Sequence, residues 1–278
     1  DRMLLMDRTA DGFVSFTTDF GAAYTSICAG VVYTIAPGAT VLVVSDEVPR
    51  YAVRNGAMLL AQALPYLPIG VHVGIVDPGV GTARQPVAIS TGRGDVLIGP
   101  DNGLLPLAAE RLGGMAAAYR LDSAEHRLSE VSATFHGRDV FAPAAGHLVA
   151  GVEVTDLGPS LPPESLTSPE LPAPRPVGEE LVLSVGYVDQ FGSLILCGTP
   201  EDLGPLDPGA GLRLSWTGRA GSRHHARLTY QRTYGDVPPG DLLLFGDSSG
   251  WLGIAVNQGS AREQLGLGGG TEITLTRQ

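Results

Sequence analysis

Positive charge, cysteine and long apolar runs are all scarce in this 278-residue chain. Lys and Arg number 18 against 29 Asp and Glu, a formal net charge of −11. Phosphate backbones are bound through clustered basic residues, so this balance argues against a nucleic-acid partner. It is compatible with a cationic small molecule, although an acidic surface also serves solubility alone. Only two cysteines occur, Cys28 and Cys197, far apart in sequence. They make neither a disulfide framework nor a CxxC metal motif, and a reducing cytoplasm is the expected setting. No run approaches the roughly 18 apolar residues of a membrane span, which argues against a membrane partner. Residues 1–12 carry charges throughout and lack the apolar stretch of a signal peptide, so a flexible leader is expected there.

What is present is enough apolar material, 44% of residues, for one large domain or two ordinary ones. Over 13–158, short β-rich runs alternate with helical patterns. Residues 13–18, 40–45, 71–76, 86–91 and 96–98 read as strands, most of them continuously apolar, as in a parallel sheet buried on both faces. Residues 22–35, 53–64 and 140–150 read as helices. This order implies an α/β domain with a largely parallel central sheet. Residues 159–176 contain seven prolines, and 159–178 reads as an extended linker. Over 179–278, short strand-like runs separated by Gly, Pro and Asp turns suggest a smaller antiparallel β domain.

Four local features carry chemistry. Thr17-Thr18-Asp19-Phe20-Gly21 lies between the first strand and the first helix, where open α/β sheets bind ligands. A carboxylate there can hold a ribose diol, and an Asp at such a turn serves equally as a helix N-cap. Val76-Asp77-Pro78-Gly79-Val80-Gly81-Thr82-Ala83-Arg84 follows another buried strand, with Asp77 and Arg84 as its only charged side chains. The pair could act on a ligand or simply brace a turn. His136, in Thr134-Phe135-His136-Gly137-Arg138-Asp139, could exchange protons near neutral pH or be structural. Gly99-Pro100-Asp101-Asn102-Gly103 reads as a backbone turn, with Asn-Gly supplying positive φ.

In this order and spacing the motifs resemble one family, the S-adenosyl-L-methionine (SAM) hydrolases or hydroxide adenosyltransferases. These share a fold with fluorinating and chlorinating enzymes that attack the same ribose carbon. The matching text is TTDFG at 17–21, IVDPGVG at 75–81 with Arg84, GPDNGLL at 99–105, ATFHGRDVFAPAAGHL at 133–148 and DSSGWLGIAVNQGSA at 247–261. The resemblance implies hydrolysis of SAM to adenosine and L-methionine, with water attacking the ribose 5′ carbon. SAM is then the substrate, and neither a cofactor nor a metal is expected. Asp77, Arg84 and His136 would act on the water, and Asp19 and Tyr51 would meet the ribose. Asp189 and Ser248 would hold the methionine ends. Phe191, Ser193, Asn257 and Gln258 would lie around the adenine. The resemblance also implies a homotrimer with sites at subunit interfaces.

The second half departs from the family pattern. Ser193 stands where Asn is usual, Cys197-Gly198 where Thr-Asn is usual, and Asp247 where Asn is common. Gly253 replaces a larger polar residue. Ser193 can make fewer hydrogen bonds to an adenine than Asn. Two rival functions follow: a 5′-halogenase of the same fold, or a non-catalytic protein that binds SAM or adenosine.

Overall fold

The structure, a computed structural model, describes residues 12–169, 171–218 and 221–278. The leader expected at 1–12 lies, except for Gly12, outside the described residues. The apolar runs of the first half form a seven-stranded mixed sheet. Its strands are β1 (Phe13–Thr18), β2 (Thr40–Ser45), β3 (Val71–Ile75), β4 (Pro86–Thr91), β5 (Val96–Pro100), β6 (Met115–Arg120) and β7 (Ser160–Leu161). Across the sheet the order is β2-β1-β3-β5-β4-β6-β7. β2, β1, β3 and β5 are parallel; β4, β6 and β7 continue the sheet through antiparallel pairings. Every residue of β3 is buried, as a strand covered on both faces requires.

Among the described residues, four helices cover the sheet: α1 (Gly21–Ile35), α2 (Val53–Ala63), α3 (Pro106–Arg111) and α4 (Ala142–Val149). Cys28 and Val32 of α1 and Ala144 and Ala145 of α4 pack with Val14, Phe16 and Val73. A second cluster joins Ala57 and Leu60 of α2, Ala108 and Ala109 of α3, and Val87 and Leu97 of the sheet. Val87, Ala88 and Ile89 alternate between the clusters, the two-residue period of a strand between two helical layers.

The helical run begins earlier than the sequence suggests, and differently. Gly137–Phe141 is a π turn, closed by the Ala142 N–H on the Gly137 carbonyl, and α4 follows it. Pro143 has no N–H to offer an α ladder at that point, and such widened turns favour functional sites. Among the described residues, no helix is long and apolar enough to cross a membrane.

The chain divides into two compact units between residues 170 and 171. Within the proline-rich stretch, β7 pairs with β6, and Leu166 is buried in the cluster beneath α2 and α3. The second unit comprises β8 (Arg175–Val177), β9 (Glu180–Val188), β10 (Leu194–Leu196), β11 (Gly211–Thr217), β12 (Arg223–Tyr230), β13 (Leu242–Gly246), β14 (Leu252–Val256), the short helix α5 (Ala261–Leu265) and β15 (Glu272–Arg277). Their order is β10-β14-β13-β12-β11-β15-β9-β8, and an added β10–β9 pairing closes the sheet into a barrel. All its pairings are antiparallel except β12–β13. Leu183, Val185, Leu212, Leu214, Leu244, Ile254 and Leu275 fill its interior.

A buried polar chain ties the first sheet together. His72 of β3 contacts Ser15 of β1 through Nδ1 (2.7 Å) and Asp95 through Nε2 (3.1 Å). Arg93 donates to both Asp95 oxygens at 2.8 Å and to the Leu64 and Pro65 carbonyls. Burial opposes ionisation of Asp95. Hydrogen bonds from His72 and Arg93, with the Arg93 charge, outweigh it and hold the carboxyl well below the usual carboxylate range. Removing the carboxylate strands its partners, so Asp95→Ala should destabilise the first unit by about 3 kcal/mol. Because the folded pKa is depressed, this increment is fully present above the ordinary carboxylate pKa and is lost as pH falls below about 4. Denaturant titrations at pH 7 and below pH 4, followed by circular dichroism, test this, since both tryptophans lie in the second unit. Equal stability of variant and parent at pH 7 would contradict it.

Candidate active site

The C-terminal edge of the parallel strands brings together two of the expected site carboxylates, Asp19 and Asp77. Asp19 leaves β1 and Asp77 leaves β3 at the same edge, because Thr18 and Ile75 are register partners. Asp19 is not the cap of α1, whose N-cap residue Phe20 makes no side-chain cap bond. Its Oδ2 instead accepts the Tyr51 N–H at 2.9 Å. That bond holds Tyr51 in a left-handed conformation, φ 66°, with its ring exposed.

The loop after β3 closes on itself through Val80 N–H to the Asp77 carbonyl and Thr82 N–H to the Gly79 carbonyl. Gly81 has φ +75°, and a Cβ on it would lie 2.3 Å from the Ala133 carbonyl oxygen. Only glycine allows that approach, which brings the loop against the segment carrying His136. Asp139, fully buried, organises that segment: it accepts the Ser132 N–H at 2.8 Å and pairs with Arg138.

Asp77, Arg84 and His136 form one cluster. Arg84 Nε lies 3.1 Å from each Asp77 oxygen, and Nη2 donates to Asp77 Oδ2 as well. The same Nη2 donates to His136 Nδ1 at 2.8 Å. Phe141 lies against the guanidinium, 5.3 Å from ring centroid to Cζ. The Arg84 and Asp77 side chains are only 8% and 6% exposed, so this ion pair is nearly dry. Nη1 of Arg84 is buried with no hydrogen-bond partner. A donor on a permanent cation is not left so without cost, and a small polar occupant would satisfy it.

His136 is pushed below its ordinary value, first by burial and then by the Arg84 charge, with Asp77 and Asp139 partly opposing. Since Nδ1 accepts from Arg84, the neutral ring carries its hydrogen on Nε2. Cys28 lies behind Gly137, and burial pushes its thiol up to about 12, which makes it a packing group. Among the described residues, no group of three or more His, Cys, Asp or Glu is placed to hold a metal ion.

In the second unit, two hairpin loops share one construction. Asp189 Oδ1 accepts the N–H groups of Phe191 and Ser193, and Asp247 Oδ1 those of Ser249 and Trp251. In each, a glycine at the fourth position, Gly192 or Gly250, has φ above +80°. Phe191 and Ser248 are exposed, whereas Ser193 is buried. Tyr234 is drawn in electrostatically with both loops: burial, then Asp189 and Asp247, push its phenol up. Nothing in the text Thr233-Tyr234-Gly235-Asp236 singles Tyr234 out from an ordinary turn aromatic. Asn257 spends its amide on the Val237 carbonyl at 2.7 Å, leaving Gln258 exposed with φ 56°. Tyr51 and Gln258 are the two non-glycine residues with positive φ among the described residues.

A solved structure from Thermotoga maritima, described as an uncharacterised conserved protein, matches at a TM-score of 0.86 and 31% identity. The match covers 95% of this chain and 100% of that one. The chain therefore has that protein's fold, an α/β unit followed by a closed β unit. Residues 14–158 match the SAM hydroxide adenosyltransferase N-terminal domain, and residues 183–274 match the C-terminal domain. The chain belongs to the SAM hydroxide adenosyltransferase family. An (R)-S-adenosyl-L-methionine hydrolase of Salinispora tropica is 42% identical over 95% of this chain and 97% of its own length. A fluorinase of an Actinoplanes species is 26% identical over 98% of this chain and 100% of its own.

The cluster makes one spectroscopic prediction. His136 should titrate below the ordinary histidine value, and its neutral ring should show the Nε2–H tautomer by ¹⁵N NMR. Arg84→Met removes a neighbouring cation, so the titration should move up. A wild-type midpoint at or above the ordinary value would contradict the burial and the Arg84 charge that lower it, and no upward move in Arg84→Met would show that Arg84 does not act on the ring.

Proposed function

We propose that this chain hydrolyses SAM to adenosine and L-methionine. Water attacks the ribose 5′ carbon in line with the sulfonium: the O–C5′ bond forms as C5′–S breaks, and the sulfur keeps the electron pair as a neutral thioether. Such a leaving group needs no general acid. The difficulty lies in the nucleophile, which must be positioned and must lose a proton. The observation that carries the reading is the nearly dry Asp77–Arg84–His136 cluster, in which Arg84 Nη1 has no protein partner. Arg84 and His136 hold and polarise the water. Asp77 orients the guanidinium and helps to take up the proton released.

Asp19 binds the ribose hydroxyls and Tyr51 packs on the sugar. Asp189 and Ser248 take the methionine ends; Phe191, Ser193 and the backbone at Asn257 and Gln258 take the adenine. The strained backbone at Tyr51 and Gln258 supports these roles, because such strain concentrates at ligand contacts. No resident cofactor enters the scheme. Two buried cysteines that form no disulfide fit a reducing cytoplasm. A halide-using reaction is less well supported. A Cβ at Gly137 would meet Ile75, Phe135 and Cys28 at 3.3–3.4 Å, which crowds any side chain there that could hold a halide.

Reaction in ¹⁸O-labelled water with added chloride or fluoride should give adenosine alone, labelled at the 5′ oxygen, by mass spectrometry. Unlabelled adenosine, or a 5′-halo-5′-deoxyadenosine as the main product, would refute hydrolysis. Asp77→Ala, Arg84→Ala and His136→Ala should each lower turnover by roughly 10²–10⁴-fold, the usual worth of a positioned acid or base.

The chain assembles as a homotrimer with its sites at subunit interfaces. Helix α1 supports this: it contains no charged residue yet exposes Tyr24, Ile27 and Tyr33, and the edge strand β2 exposes Leu42 and Val43. An apolar face beside an open strand edge is a liability unless covered. Analytical ultracentrifugation should find three copies, and mixing Asp77→Ala with Asp189→Ala should restore activity by subunit exchange. A monomer with full activity would contradict this assembly.

A further inference from the structure

We propose that Asn102, together with the backbone of Asp101, is a positioning residue that grips both ends of the loop carrying Asp77 and Arg84. The proposal rests on the hydrolase reading for its kinetic consequence but not for its geometry. The Asn102 Nδ2 donates to the carbonyl of Val76, the residue just before Asp77, at 2.8 Å. The Asp101 N–H donates to the carbonyl of Gln85, the residue just after Arg84, also at 2.8 Å. Two consecutive residues thus hold the entry and the exit of one loop.

The sheet explains why a side chain is needed at one end. β5 lies between β3 and β4, and at Pro100 its backbone pairs with Pro86 of the antiparallel strand β4. The Asp101–Gln85 bond continues that ladder. The parallel pairing of β3 with β5 ends at Val73 and Ile98. Beyond it the Val76 carbonyl is held by an amide side chain. Asn102 is suited to this because it donates to Val76 while its Oδ1 accepts the Leu104 N–H at 3.2 Å. Aspartate could do the second but not the first.

The turn is itself anchored by the proline-rich stretch. Asp101 Oδ1 accepts the Thr167 N–H at 2.7 Å. Gly103, with φ +89°, sits so close to Ser168 that an added Cβ would lie 2.8 Å from its carbonyl oxygen. Residues 167–169 therefore brace the turn that braces the catalytic loop. Asn102's side chain bonds to Val76 and Leu104, so its influence on the cluster runs through the backbone.

The test compares Asn102→Asp, Asn102→Ala and Thr167→Pro with the parent, reading kcat and KM for adenosine formation, thermal stability, and the His136 imidazole titration. A misplacement near 1 Å can cost about 10²-fold, so both Asn102 variants should lose roughly 10–100-fold in kcat with KM little changed. As Arg84 slackens its hold on Nδ1, His136 should titrate higher in both. Thr167→Pro removes the N–H that Asp101 holds; Leu166 already has φ −69° and ψ 147°, which a following proline accepts. It should give a smaller loss in the same direction and decides the matter if either Asn102 variant fails to fold. Asn102→Asp with parental kcat and a parental His136 titration would overturn the proposal, because that variant keeps the Leu104 bond, loses the Val76 donor and adds a negative charge that by itself could only raise the titration. If the parent forms no adenosine, the hydrolase reading fails, and the His136 titration alone still judges the clamp.

Discussion

A guanidinium that is nearly out of water dominates the first unit. Arg84 cannot shed its charge, so the fold must supply acceptors where solvent would have been. Asp77 gives both oxygens and His136 gives Nδ1, one from the loop after β3 and one from the residue that caps the π turn before α4. Everything nearby serves that meeting. Gly81 removes the side chain that would hold the two segments apart, and Asp139 holds the second segment in shape. The ion pair is thus less a source of stability, since desolvation offsets much of its attraction, than a device that fixes three side chains in one geometry.

The same constraint sets the protonation states. With Arg84 donating to Nδ1, the ring is kept neutral and its hydrogen lies on Nε2, so His136 presents a donor. In the proposed hydrolysis, the Nε2–H of His136 and an N–H of Arg84 donate to the water oxygen, while Asp77 supplies the negative charge that favours loss of its proton. Water suits this arrangement better than a halide, which would approach a carboxylate in a poorly screened pocket.

The second unit solves a different problem, presenting polar loops from a closed barrel. The twin loops at 189–193 and 247–251 each spend a carboxylate oxygen on two backbone N–H groups. Each turn is closed by its own Asp, through the side chain and through a backbone bond from its N–H to the residue four positions on, and Tyr234 feels both carboxylates.

Local chemistry made much of this legible in the sequence. Continuously apolar runs determined the doubly buried strands, Gly- and Pro-rich text determined the turns, the positions of Asp19 and Asp77 directly after strands placed them at one sheet edge, and His136 was legible as a residue just before a helix. Those properties depend on residues a few positions apart, so a linear reading reaches them. Tertiary structure alone decided that Arg84 bridges Asp77 and His136, that Asp19 holds Tyr51 instead of capping α1, and that Asn102 reaches back to Val76. Residues 52, 32 and 26 positions apart meet there. Their meeting is set by strand order and register, which arise from packing the whole sheet between two helical layers.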